Sequence, residues 1–521
     1  MKIPLNRQAK TPIYLQIRDR ISHLIQTGHL EANAQLPSIR ALAQTAHVNK
    51  LTVLEAYSVL EAEGLVRAKK GAGYFINPPI DLTTDLATGL ATETLANNAT
   101  THTSTNKTTP KSSFNPAQNV IIPTQGVNSF PDIYAASLRS HAQPDYIDFG
   151  LGFPQPVGLD DLTRISRRAM KEAHTFFHPG DPQGDPELRS QIVQLLIQQG
   201  LEISPDNLLV TSGSMQSLSL LADHFISPGD WVIVEAPTYH GFLSILQQRG
   251  AQIIGIPMTP HGMNLDLLSR YLQSHRPRLI YTMSSLHNPT GITTSAEHRR
   301  QLLSLAEEYD CLIVEDNAYE PLSFEATPPP IKAFDTSDRV IYVGTFSKTL
   351  MPGLRIGYTA ITGPQRQALT ERKLLHDFHI SMASQVILKE YLSSGHYRRR
   401  LNKVRKLHRD RRDHMIEMLH RHFPTEITWT VPNGGTFLWI QLPDALSLSS
   451  ICSAATQQKV LVGSGAAFFP TQQGYPAMRL NFSLPLEATE RGIAILGTIL
   501  KEAISEAIRN HPTIENRGYQ N

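Results

Sequence analysis

An apolar run, Val340 to Val343, ends in a turn of small residues that presents one lysine, and an arginine follows seven positions later. The stretch reads Gly344-Thr345-Phe346-Ser347-Lys348-Thr349-Leu350-Met351-Pro352-Gly353-Leu354-Arg355-Ile356-Gly357-Tyr358, and it constrains the chain more than any other. A lysine and an arginine at the end of a buried strand make a poor core, because a buried charge without a partner is costly. The pair has a purpose if Lys348 forms a Schiff base with an aldehyde cofactor. A partly desolvated, cation-rich setting strips the proton from an amine and leaves a nucleophile. Arg355 would then bind a phosphate. A lone Ser-Lys pair after a strand would ordinarily be a surface lysine; the fifteen-residue context argues against that here.

The 521 residues exceed what one core organises, so two or more domains are expected. With 40% hydrophobic and 18% charged residues, the composition is that of an ordinary globular protein. No apolar run approaches the roughly 18 residues of a membrane span, and Met1 to Lys10 has no signal-peptide core, so a cytoplasmic protein with no membrane partner is expected. Cys311 and Cys452 are the only cysteines, far apart, which fits a reducing compartment and argues against a cysteine metal site. The net charge of +2 is unevenly spread. Residues 1–78 carry ten basic against five acidic side chains, so the remainder sums to −3. A basic end module points to a polyanion partner for that module alone.

The lysine segment resembles the cofactor motif of fold-type I pyridoxal-phosphate enzymes, the aspartate aminotransferase superfamily. Further stretches carry the same likeness. Leu208–Thr211 runs into Ser212-Gly213-Ser214-Met215-Gln216 and an apolar helix, and backbone amides at a helix start make a phosphate cradle. Helix capping is the plain alternative there; the resemblance makes Gly213, Ser214 and Met215 phosphate contacts. Tyr239, after Val232–Glu235, falls at the ring-stacking position, where core packing is the alternative. In His287-Asn288-Pro289-Thr290-Gly291, the Asn288 amide can donate to the cofactor ring oxygen and touch a bound carboxylate. Leu312–Asp316 delivers a carboxylate at the end of a buried run. Paired with a pyridine nitrogen, Asp316 keeps it protonated and the ring an electron sink; a helix cap is the alternative. Tyr319 would bond the ring oxygen, and Thr345 and Ser347 would help Arg355 hold phosphate. Ile147–Pro154 resembles the glycine-rich entrance strand over the substrate, which brings in Gly152. Arg479, in Met478–Ser483, falls where the family binds an α-carboxylate, and a guanidinium fork suits that anion.

Residues 1–78 read as a separate module. Apolar positions place one helix over about 12–27, a second from Leu36-Pro37-Ser38-Ile39-Arg40 with Ser38 as cap, and a third over about 49–63 burying Val53, Ala56, Tyr57 and Leu60. Leu65–Ala68 and Gly73–Ile76 read as a hairpin around Lys69-Lys70-Gly71-Ala72. This is the plan of a winged helix-turn-helix, whose third helix enters the major groove. The module resembles the GntR-type DNA-binding domain. On that likeness Arg40, Lys50 and Thr52 meet phosphates or base edges of double-stranded DNA, and Lys69, Lys70 and Gly71 form the wing tip. The family often has arginine where Lys50 and Leu54 stand. A basic protein-interaction domain is the bland alternative.

Residues 79–140 are expected to be a linker. Asp81 to Pro110 holds eleven threonines and, of large apolar residues, only four leucines, too little to offset ordering entropy. Its span is on the order of 40 Å; a modified segment is the other reading. Residues 141–510 then form the aminotransferase-like domain. Gly395–His414 carries nine arginines and lysines, read as a solvated helical face rather than a nucleic-acid contact, and its histidines as no metal site.

The expected fold class is α/β: a fold-type I large domain with a mostly parallel sheet and a small α+β domain, preceded by the winged helix. The two halves together resemble the MocR subgroup of GntR regulators. That likeness implies pyridoxal 5'-phosphate as cofactor, a homodimer, and an amino acid or amine effector. It implies a transcription regulator that senses cofactor or effector, with Lys348 and Asp316 as the residues that carry the chemistry. A working aminotransferase is the second reading, since Lys348, Asp316 and Arg479 are all present.

Overall fold

The apolar runs read above become strands of one sheet, and the lysine segment leaves that sheet at its centre. A computed structural model describes residues 13–26, 30, 34–46, 48–62, 65–69, 73–77, 145–154, 160–470 and 474–510. They belong to two units, one within Met1–Pro110 and one within Lys111–Asn521. The expected linker over 79–140, Lys70 and Gly71 lie outside the described residues.

In the first unit the helices are Ile13–Gln26, Ile39–Ala46 and Lys50–Ala62, followed by strands β1 (Val66–Lys69) and β2 (Gly73–Ile76). The strands pair antiparallel, Val66 opposite Ile76. Ile17 and Ile21 of the first helix are fully buried, and so are Val53, Ala56, Tyr57 and Leu60, the face that the apolar spacing named for the third. Ser38 Oγ accepts the Ala41 amide at 3.2 Å, which caps the second helix. The Tyr57 hydroxyl donates to the Pro37 carbonyl at 2.8 Å and ties the third helix to the start of the second.

The second unit holds β3 (Ile147–Asp148), β4 (Leu208–Thr211), β5 (Trp231–Ala236), β6 (Gln252–Thr259), β7 (Gly262–Met263), β8 (Leu279–Thr282), β9 (Leu312–Asp316), β10 (Val340–Thr345) and β11 (Gly357–Ala360). After them come β12 (Thr428–Trp429), β13 (Phe437–Gln441), β14 (Val460–Leu461), β15 (Gly463–Ser464) and β16 (Ala477–Asn481). Eight form one sheet in the order β4-β11-β10-β9-β8-β5-β6-β7. The five central strands β10, β9, β8, β5 and β6 run parallel, while β11 and β7 run against their neighbours. These strands are near-continuous apolar runs because helices cover both faces. Helix starts are marked by side chains that accept an amide three residues on: Asp185, Asn264, Ser295, Ser381 and Ser447.

A smaller antiparallel sheet, β12-β13-β16-β15, packs with the helices His396–His422 and Leu486–Asn510 around a second core. Only Ile147 and Asp148 of the expected entrance strand are extended, paired in parallel with β14; the chain then bends. Gly150 is where it bends past Val462 and Gly463, whose backbone a Cβ would approach to 3.1 Å.

The arginine-rich segment lies in His396–His422 and is solvated in part, as expected: Arg398, Arg399, Lys403, Lys406 and Arg409 are exposed, while Arg400, Arg405, Arg411 and Arg412 are half-buried. Arg400 donates to the Leu350 carbonyl, Arg405 to Pro321 at 2.9 Å, Arg409 to Phe324, Arg411 to Ser483 and Arg412 to Pro432. His408 is fully buried against Gly435. The reason is chemical: guanidinium groups satisfy the carbonyls of irregular segments that no strand or helix pairs.

Candidate functional site

The carboxyl ends of β9 and β10, the bend after β3, the turn after β8 and strand β16 converge. Lys348 follows β10, and its Nζ donates to the Gly152 carbonyl at 2.7 Å. The amine sits 4.0 Å from the Phe153 ring centre and 5.5 Å from that of Tyr319. Burial, then the Arg479 and Arg355 charges, push its pKa down to about 7, against the pull of Asp316. Asp316, 2% exposed, ends β9. Its Oδ2 accepts the Tyr281 hydroxyl at 2.9 Å and its Oδ1 the Ala318 amide at 3.2 Å. Burial pushes this carboxyl up to about 6 in spite of those two donors and Lys348.

Arg479 on β16 is 2% exposed. It donates from Nη1 to Asn288 Oδ1 at 2.8 Å and from Nη2 to the Gly150 carbonyl at 2.7 Å. Its guanidinium lies 4.0 Å from the Phe437 ring centre and 4.8 Å from that of Phe468, and its buried Nε has no hydrogen-bond partner. The Tyr319 hydroxyl also donates to the Gly152 carbonyl, at 3.3 Å, so that oxygen accepts from two side chains; being an acceptor, it leaves only the Gly152 amide to meet a carboxylate.

A second cluster lies at the start of the helix Gly213–Phe225. Arg355 Nη2 donates to the Ser212 carbonyl at 3.3 Å, and Nη1 lies 3.5 Å from Ser347 Oγ. Gly213 has φ +73°, and a Cβ there would come within 2.6 Å of Arg355 Nη2. Only glycine lets the guanidinium close over the helix start, where the first-turn amides, including those of Ser214 and Met215, lack helical partners. The Tyr239 hydroxyl contacts Met215 Sδ at 3.2 Å. Thr345 is turned to other work: its hydroxyl donates to the Ile356 carbonyl and accepts the Ser347 amide, closing the lysine turn.

These groups suit pyridoxal phosphate: a helix start and a guanidinium for the dianion, an enclosed carboxylate for the ring nitrogen, and an amine poised to lose its proton. The unpaired Arg479 Nε, beside Lys348, suits an anionic group on an incoming molecule. A family model described as aminotransferase class I and II matches residues 144–496. The chain belongs to that family. A second model, described as bacterial regulatory proteins of the gntR family, matches residues 13–76.

The pairing of the two is shared with whole relatives. The uncharacterized HTH-type transcriptional regulator YisV of Bacillus subtilis is 28% identical, over 92% of this chain and 93% of its own. The probable rhizopine catabolism regulatory protein MocR of Rhizobium meliloti is 29% identical over 90% of each. A solved kynurenine aminotransferase from Pyrococcus horikoshii, in complex with PMP, is 33% identical with a TM-score of 0.67, covering 71% of this chain and 94% of its own. This aminotransferase-family chain is thus a MocR-type regulator in organisation, its gntR module implies DNA binding, and its family is pyridoxal-phosphate dependent.

In the gntR module Arg40 is exposed in the first turn of Ile39–Ala46, and Lys50 is exposed at the start of Lys50–Ala62, with Thr52 half-buried two residues on. Lys69 ends β1. Among the described residues no His, Cys, Asp and Glu grouping could hold a metal ion, and no helix is long and apolar enough to cross a membrane.

Sequence reasoning assigned no role to Tyr281, Phe153, Phe437, Phe468 or His240. The signal for Tyr281 was a hydroxyl in a short, fully buried strand, which demands a buried partner. His240 had none; only the fold encloses it, where burial, Arg479 and Lys348 push its pKa down to about 3 and keep it neutral.

Proposed function

We propose that this chain regulates transcription by reading, in its aminotransferase-like domain, whether pyridoxal phosphate and an amino acid or amine are bound. The observation that carries the reading is the enclosed set Lys348, Asp316 and Arg479 in a chain that also bears a gntR module. When bound, the cofactor supplies an aldehyde and an electron-withdrawing ring. Lys348 holds or releases a proton near neutral pH. Asp316 would accept the ring N–H, Tyr239 would pack on the ring, and Asn288 and Tyr319, the latter turning its hydroxyl from the Gly152 carbonyl, would bond the ring oxygen. Gly213, Ser214, Met215, Ser347 and Arg355 would hold the phosphate. Arg479, steadied by Asn288 and the bend around Gly152, takes the effector's carboxylate.

Arg40, Lys50, Thr52 and Lys69 to Gly71 contact DNA. The domains are 1–78, a linker over 79–140, and 141–510, and the working form is a homodimer. Bound effector changes operator affinity only by favouring one arrangement of that dimer over another. Footprinting the full-length protein on its upstream DNA, with and without cofactor and candidate amino acids or amines, tests this. The expected result is protection that changes on cofactor addition in the wild type and not in Lys348→Ala, which also loses visible absorption. A footprint indifferent to cofactor in both would overturn the reading.

A second reading, a working aminotransferase, is supported by the Lys348 amine titrating near 7 beside Arg479. Turnover of an amino acid and keto-acid pair at about 1 s⁻¹ or faster, with no sequence-specific DNA protection, would favour it.

A further inference from the structure

Ser212 stands at the corner of the phosphate cluster and is gripped from two sides. Its carbonyl receives Arg355, while its amide donates to Gln216 Oε1 at 2.7 Å. Gln216 Nε2 donates onward to Asp377 Oδ2 at 2.7 Å, and Lys373 Nζ donates to Asp377 Oδ1 at 2.8 Å. The Lys373 side chain is fully buried. Its partner Asp377 is 24% exposed, and a part-buried ion pair of this kind is poor evidence of a gain in stability, so its presence asks for a specific purpose. Asp377 also ends the helix Gln365–Asp377, where the helix dipole disfavours a carboxylate.

The backbone gives an independent sign. Phe378, next in the chain, has φ 56° and ψ −65°, and the His379 amide bonds the Asp377 carbonyl at 2.5 Å. That is a strained γ-turn at a residue other than glycine. The Phe378 ring is 72% exposed, so burial of the ring does not hold the turn. What the turn does secure is the place of the Asp377 carboxylate, against Gln216 and Lys373.

We propose that Gln216, Asp377 and Lys373 are positioning residues for the cofactor phosphate. They form a file of hydrogen bonds that fixes Ser212, and through it the first-turn amides and the Arg355 guanidinium. The inference rests on the pyridoxal-phosphate reading above.

The test titrates full-length apoprotein with pyridoxal phosphate and, separately, with pyridoxal, which lacks the phosphate, following visible absorption. Gln216→Leu and Asp377→Ala are expected to weaken pyridoxal phosphate about tenfold, the scale of one hydrogen bond to a charged group, and to leave pyridoxal within about twofold. Lys373→Arg, which keeps the pair with Asp377, should retain the wild-type ratio. Inorganic phosphate should raise the apoprotein Tm in the wild type and less in Gln216→Leu. Parallel loss of both ligands, or loss of neither, overturns the proposal. If Asp377→Ala does not fold, the partly exposed Gln216→Leu decides alone. If the wild type itself captures no pyridoxal phosphate, the cofactor reading and this one fall together; if it does and the ratio is unmoved, only this one falls.

Discussion

Lys348 and Asp316 are moved toward neutral pH by the same burial, one from above and one from below. With the amine at about 7, uptake of pyridoxal phosphate should quicken as pH rises from 6 to 8 and level off above, because only the neutral amine attacks an aldehyde. Stopped-flow absorbance on apoprotein measures this; a rate still climbing steeply at pH 10 would mean an ordinary lysine. Asp316 gives a stability prediction. An unfolded aspartate ionises near 4, so between about 4 and 6 the folded chain keeps a proton that the unfolded chain has lost. Stability therefore falls as pH rises through that window and stays lower above it. Asp316→Asn removes the buried charge, so its apoprotein should melt a few degrees above wild type at pH 8, with the gap closing below pH 4. Thermal melts at pH 4, 6 and 8 check the sign.

The helix His396–His422 divides its charges between water and the rest of the protein. Its arginines reach over neighbouring segments and tie down the carbonyls of Pro321, Phe324, Pro432 and Ser483. Arg405→Met should therefore cost about 1–3 kcal/mol of stability, because it leaves the Pro321 carbonyl without its charged donor. It should leave the slope of log affinity for DNA against log salt unchanged, since that slope counts phosphates neutralised. A fall in slope with unaltered melting would assign the run to nucleic acid instead.

Each unit of the molecule has its own core, Ile17 to Ile76 in one and the sheet and helix clusters in the other. Leu60 is fully buried in the first. Leu60→Ala should cost about 2–5 kcal/mol there and abolish operator binding, while titration with pyridoxal phosphate stays as in wild type. Loss of both together would mean that the units do not fold separately.

Period and punctuation alone determined a good deal. The buried face of the module's third helix and the strand ends carrying Lys348 and Asp316 follow from local pattern, because each is a burial demand that a short stretch must meet itself; the Gly213 cradle came from the family resemblance. The tertiary structure alone decided which distant groups meet. Arg479 finds Asn288 across 191 positions, and Lys348 finds the Gly152 carbonyl across 196. Tyr281 turns onto Asp316, and five arginines of one helix reach carbonyls elsewhere in the chain. No local spacing encodes these partners, because hydrogen bonds and desolvation depend on what the rest of the fold brings alongside.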